Sequence, residues 1–202
     1  PELLDWLACE FRAQGWSIKQ LHRLIATSAT YRQASRARDG DKSWSMRLEH
    51  DPANKLYGRA SRRRLEGEAL RDAMLASAGI LATERGGPGV MPPLAEELLS
   101  TLLKDQWTAS KREADHYRRS IYIFARRNLR YPLFDAFDRP PADASCPVRN
   151  RSTTATQAFV LLNSEFSLLV ARHLAGAAWA HSPDTNKQVE FLYRRCFSRH
   201  PT

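Results

Sequence analysis

Near the start of the chain, Leu3, Leu4, Leu7, Ala8 and Phe11 recur at the spacing of one helix face, with Trp6 beside them. Gly15 follows as a stop, because glycine readily takes the left-handed conformation that ends a helix. Ser17 with Gln20 three positions on has the form of a capping box, opening a second helix with Ile18, Leu21, Leu24 and Ile25 on its apolar face. The two predict a helical hairpin. From Ser35 to Asn54 the chain is polar and charged, with Asp-Gly and Asp-Pro pairs and scattered apolar residues, which predicts an exposed loop. From Arg62 to about Leu81, Leu65, Ala69, Ala73, Leu75 with Ala76, and Ile80 predict one long helix, with Glu66, Glu68 and Arg71 among its polar positions. Gly86-Gly87-Pro88-Gly89 then interrupts the pattern. It marks the expected boundary between two lobes, 1–85 and 90–202, of a single domain spanning 1–202.

Further on, Ser120 to Ala125 is a short run rich in β-branched and aromatic residues and predicts a strand, paired in a small hairpin with part of the glycine-rich region. Tyr131 to Phe137 reads as a short helix, and Asp138-Arg139-Pro140-Pro141 as a rigid irregular segment. Thr154-x-x-Gln157 forms a second capping box. It opens a long helix through Ala158, Leu161, Leu162, Phe166 and Leu169 toward Ala178. Asp184 to Phe197 closes the chain with an amphipathic helix carrying Val189, Phe191, Leu192 and Phe197. No internal repeat is visible. The fold class that follows is mainly α, a multi-helix globular domain with at most a small β-hairpin.

Composition narrows the picture. With 202 residues, 43% of them hydrophobic, the chain can build one large core or two small ones. No segment approaches the ~18 continuous apolar residues of a membrane span. Both ends, Pro1-Glu2-Leu3 and His200-Pro201-Thr202, are abrupt and read as fragment boundaries of a longer multidomain protein. Cys9, Cys146 and Cys196 are odd in number and far apart, which excludes a CxxC metal site, a dense disulfide framework and a CxxCH haem attachment. The six histidines lack HExxH or HxH spacing, so zinc chemistry has little local support and no metal site is expected. Gly86 to Gly89 lacks the preceding apolar strand and following Lys-Ser/Thr of a phosphate loop, and reads as a connection.

Charge locates the candidate chemistry. The net charge is +9, and 25 of the 31 basic residues are Arg. An anionic partner explains this excess; so does Arg as the favoured basic residue of a GC-rich genome. Between Arg118 and Arg151 stand eight arginines against three acids, and no Lys. A guanidinium is a planar fork that donates paired hydrogen bonds to carboxylate, sulfate or phosphate. Arg149 and Arg151 also precede the helix start at Thr154, where unpaired amides and the helix dipole already disfavour cations, so an anion or an internal carboxylate is expected nearby. Asp135 and Asp138 are the internal candidates, and Arg/Asp pairs locking loop to helix are the plainer account. The candidate ligand-binding set is Arg126, Arg127, Arg130, Asp138, Arg139, Cys146, Arg149, Asn150, Thr154 and Gln157. Catalytic residues are not assigned. Cys146 has no His within the segment to activate it. Tyr122, Phe124, Tyr131, Phe134 and Phe137 interleave with arginine in a pattern that suits base stacking, but core packing is simpler.

At these residues a family resemblance becomes specific. The runs Arg118-Arg119-Ser120-Ile121-Tyr122, Arg126 to Phe134, Ala136 to Pro140, Cys146-Pro147, Arg149-Asn150 and Ser152 to Ala158 resemble the planctomycete PSD-type domain of unknown function, DUF1553. Pro1 to Ala8, Trp16 to Lys19, His22 to Ile25, Thr27 to Gln33, Arg62 to Glu66 and Arg71 to Ala73 extend the likeness over essentially the whole chain. The resemblance implies large secreted or surface-associated proteins in which this domain lies C-terminal, behind another domain and often a cytochrome-c-like module. It therefore implies an extracytoplasmic setting, other domains of the same polypeptide as partners, and haem c in a neighbouring domain, with no cofactor within this chain. The expected function is an accessory helical module with an Arg-rich site for an anion or a sulfated or acidic glycan. The alternative is a hydrolytic or redox enzyme site at the same segment. Nucleic-acid binding rests on charge alone, and an exported setting argues against it.

Overall fold

The computed structural model describes every residue except Arg38, Asp39, Lys104, Asn128 and Thr202. It divides into two units, Pro1–Arg63 and Arg64–Thr202. The division falls at Arg63 and Arg64, and the glycine-rich segment lies inside the second unit.

In the first unit, α1 (Glu2–Ala13) and α2 (Ile18–Thr27) pack together as the expected hairpin. Gly15 at φ 67° and Trp16 at φ 61° turn the chain between them. The Ser17 hydroxyl accepts the Gln20 amide at 3.3 Å. The expected loop from Ser35 to Asn54 contains a helix, α3 (Ser43–His50), started by Asp41, whose carboxylate accepts the Ser43 amide and hydroxyl; Asp39 in that stretch lies outside the described residues. Local side-chain bonds stabilise this helix where a broad apolar stripe is lacking. After it, Asn54 at φ 53° bonds the Arg59 carbonyl at 2.7 Å and the Arg59 amide at 3.2 Å, closing a tight loop.

The second unit is built on α4 (Gly67–Ala78), which is shorter than the expected Arg62–Leu81 helix. Glu66 is extended, so the helix starts one residue later. It stops at Gly79, at φ 78°, where the Gly79 amide bonds the Ala76 carbonyl and the Ile80 amide bonds the Leu75 carbonyl, closing a Schellman motif. Two short helices, α5 (Glu96–Leu99) and α6 (Glu113–His116), interrupt the loops that follow. The expected strand is a 3-10 turn at Ser120–Tyr122 followed by a single parallel bridge from Ile123 to Val90; a second bridge joins Arg118 to Ala82. Its partner is Val90, directly after the glycine-rich region expected to pair with it, and the pairing is parallel and limited to isolated bridges, not a hairpin. Pro132 opens α7 (Pro132–Ala136), where its fixed φ suits the first turn and its missing N–H costs nothing. The expected long C-terminal helix is two, α8 (Ala155–Asn163) and α9 (Glu165–His181), bent by 53° at Ser164. Ser164 is extended and its hydroxyl accepts the Ser167 amide, so it ends one helix and caps the next. The last helix, α10 (Thr185–Phe197), forms where its amphipathic pattern predicts, and Asp184, expected as its first residue, is its cap.

The core lies in this unit. Leu129, Tyr131, Leu133, Phe134 and Phe137 join Val90, Leu94, Trp107 and Ile123 in one cluster, and Leu75, Ala78 and Val170 form a second. Burying each large side chain stabilises the unit by roughly 1.5–3 kcal/mol. The fold is mainly α: among the described residues there are ten α-helices and no strand beyond the two bridges. No single helix among them is long and apolar enough to cross a membrane.

Candidate functional site

The arginine-rich segment converges on the first turn of α4. The Arg149 guanidinium donates to Glu66 at 2.8 Å and to Glu68 at 3.1 Å. Arg151 stands 3.6 Å from Glu66, and Arg139 stands 3.6 Å from Glu68. Beside them Asp138, at φ 61°, accepts from Arg64 at 2.5 Å and from both the amide and the hydroxyl of Ser152 at 2.8 Å. The Ser152 amide and hydroxyl, with the Arg64 guanidinium, hold the Asp138 carboxyl below its ordinary pKa. Arg64 and Arg139 also lie over the rings of Phe137 and Phe134. The arginines before α8 thus find their anion inside the chain.

The start of α8 completes the knot. The Thr154 and Gln157 capping box forms as the sequence predicts. Gln157 is 4% exposed, and its amide nitrogen donates to the Ala136 carbonyl at 3.0 Å and to the Ser152 hydroxyl at 3.1 Å. Asp138, Arg139, Arg149, Thr154 and Gln157 are therefore brought into one network. The other candidates stand apart from it. Arg130 pairs with Asp135 at 2.8 Å. Cys146 is exposed, with its thiol directed to the Val148 carbonyl at 3.3 Å, and Asn150 is exposed. Half-buried Arg126 and exposed Arg127 form no ion pair among the described residues. The expected partner Asp138 serves Arg64, whereas Glu66 and Glu68, which the sequence marks only as polar positions of a helix, serve the segment's own arginines. Chemically the network is a set of internal ion pairs. Asp138 accepts from Arg64 and Ser152 and is held ionised, which suits positioning better than proton transfer.

The family model for proteins of unknown function, DUF1553, matches residues 1–202. The chain belongs to this family. No curated protein matches it, and no solved structure matches it.

The DUF1553 chain also holds a buried arginine apart from this network. Arg71, in the middle of α4, is wholly buried without a carboxylate partner among the described residues. Its Nη1 donates to the Arg118 carbonyl at 2.9 Å and the Ser120 hydroxyl at 3.3 Å, and its Nη2 to the His116 carbonyl at 2.6 Å. Its Nε–H has no partner. The guanidinium lies between the rings of Phe166 and Tyr131, at 5.4 and 5.8 Å. The sequence held one signal for this: Arg71 shares the i, i+4, i+7 face of α4 with Leu75 and Ala78, the face that enters the core. Arg118, also buried, clamps the glycine-rich segment by donating to the Gly86 and Pro88 carbonyls. Among the described residues no three His, Cys, Asp or Glu side chains gather as metal ligands.

Proposed function

We propose that this DUF1553 chain is an accessory helical module of an exported multidomain protein, and that it contacts a sulfated or acidic glycan through Arg126 and Arg127. The observation that carries the reading is the division of labour among the arginines. Arg64, Arg130, Arg139, Arg149 and Arg151 face carboxylates, whereas Arg126 and Arg127 form no ion pair among the described residues. Guanidinium groups without an internal acid are the ones free to fork onto sulfate or carboxylate of a partner. The family resemblance supports the extracytoplasmic setting and the company of a cytochrome-c-like module carrying haem c. Neighbouring domains of the same polypeptide are the second class of partner this surface suits.

Retention on a sulfated polysaccharide column over a salt gradient tests the glycan contact. The double variant Arg126→Ala, Arg127→Ala is expected to elute at clearly lower salt with unchanged melting temperature. Arg149→Ala is expected to lower the melting temperature instead, because it leaves Glu66 and Glu68 short of a partner. Unchanged retention of the double variant rules the reading out.

A further inference from the structure

The last two helices enclose a surface cavity of about 490 Å³, lined by His181, Lys187, Glu190, Phe191, Arg194 and Arg195. Lys187, Glu190, Phe191 and Arg194 stand at i, i+3, i+4 and i+7 of α10, so one face of that helix supplies them, and His181 enters from the end of α9. The His181 and Phe191 rings are stacked, with centroids 4.7 Å apart and planes 24° from parallel. The three cations are all exposed, so a ligand reaches them from solvent. They are not equivalent. Arg194 stands 3.4 Å from Glu190, a carboxylate it shares with His200 at 3.2 Å. Arg195 is fixed by two carbonyls at the end of α4, through Nε to Ser77 and through Nη2 to Ala76, and its Nη1 makes no bond among the described residues. Lys187 meets no carboxylate among the described residues. With histidine neutral, three cations against one carboxylate leave the wall with two uncompensated positive charges.

We propose that this cavity binds a phosphate monoester carrying a planar ring, its phosphate among Lys187, Arg194 and Arg195 and its ring against the stacked His181 and Phe191. A phosphate monoester carries close to two negative charges at neutral pH, matching the surplus, whereas a carboxylate or a sulfate ester brings one. Its oxygens accept both the fork of an arginine and the point charge of a lysine. A bare phosphate fills only part of the space, at about 30 Å³ per water-sized group, and leaves the aromatic wall uncovered. A ring on the phosphate covers that wall in the offset or edge-on arrangement that aromatic groups favour. The site is independent of the Arg126 and Arg127 surface.

Proton–carbon spectra of the whole chain test this directly when phenyl phosphate, inorganic phosphate or phenyl sulfate is added at constant ionic strength and about pH 7.5, where the monoester is close to its dianion. The His181 ring resonances are expected to move with saturation as phenyl phosphate is added. Phenyl phosphate should bind roughly threefold or more tightly than inorganic phosphate, which lacks the ring, and than phenyl sulfate, which lacks the second charge. Lys187→Gln, a change at an exposed position, is expected to weaken phenyl phosphate binding by roughly threefold or more, and Phe191→Leu to reduce it to the level of inorganic phosphate. The Arg126→Ala, Arg127→Ala protein should bind it like the parent, which separates this site from the glycan contact. His181 resonances that stay fixed through the phenyl phosphate titration overturn the proposal. So does equal binding of phenyl phosphate and either comparison anion, or a Lys187→Gln protein that binds phenyl phosphate like the parent.

Discussion

Asp138 shows what a single side chain contributes here. Its backbone is left-handed, a region that Asp and Asn tolerate because their short polar side chains bond locally. That turn points the carboxylate at Arg64 and Ser152, joining the start of the second unit to the segment before α8. Asn at this position keeps the turn and removes the charge. Asp138→Asn is expected to cost about 1.5–3 kcal/mol at neutral pH, the range for hydrogen bonds to a charged group. The pH dependence has a definite sign. The folded carboxyl titrates below its unfolded value, so its contribution is complete above about pH 5 and is lost as pH falls through the lowered folded pKa. Chemical denaturation from pH 6 to pH 2.5 should show the gap between parent and variant closing on the acid side. A gap that stays constant would mean that the ion pair contributes nothing. The same residue marks a limit of sequence reading. Asp138 was legible as a candidate, but Glu66 and Glu68 meet Arg149 from more than 80 positions away, and nothing local to either end announces the pairing.

At the scale of the element, α4 is where local and tertiary demands conflict. Gly67 opens it, and a Cβ there would come within 3.1 Å of the Phe137 Cβ and 3.3 Å of the Phe134 backbone. α7 packs against α4 at that point, and backbone cannot move aside as the end of a flexible side chain can. Alanine is the better helix former by about 1 kcal/mol, yet overpacking of this kind costs roughly 1–3 kcal/mol. Gly67→Ala should therefore destabilise. Gly176, inside α9, meets nothing within 4 Å, and Gly176→Ala should stabilise by about 0.5–1 kcal/mol. Urea midpoints of the two variants should shift in opposite directions; a shift of the same sign in both would refute the packing argument. This conflict explains which elements were legible. α2, α7 and α10, and the capped start of α8, were readable because caps, a first-turn proline and apolar spacing all agree within a few residues. α3 was hidden because Asp41 and its neighbours stabilise it without an apolar stripe. The α8–α9 break was hidden because Ser164 looks like any helical serine until its hydroxyl is seen capping Ser167.

Across the whole molecule the two units differ in how much they bury. None of α1, α2 or α3 contains a buried residue, and the one buried residue among those described in Pro1–Arg63 is polar, Asn54. In contrast α4 buries Gly67, Arg71, Leu75 and Ala78, and α9 buries Ser167, Val170 and Ala178. The amphipathic pattern of α1 and α2 correctly predicted helices, but it says only that an apolar face exists: Leu3, Leu4, Trp6, Ile18 and Ile25 remain exposed. Amide protection measures the difference, because a segment opens with a free energy set by the contacts it must break. Amides of α4 and α9 are expected to exchange only through global unfolding, with a steep dependence on added urea. Those of α1 to α3 should exchange through local opening, faster and nearly independent of urea, since little surface is exposed when they open. Arg195, whose guanidinium donates to the Ser77 carbonyl at 2.9 Å and to the Ala76 carbonyl at 3.3 Å at the end of α4, places the last turn of α10 with the slow group. Equal protection and equal urea dependence in α1 and α4 would show one cooperative unit and defeat the prediction; two tiers would assign the chain's stability to residues 64–202.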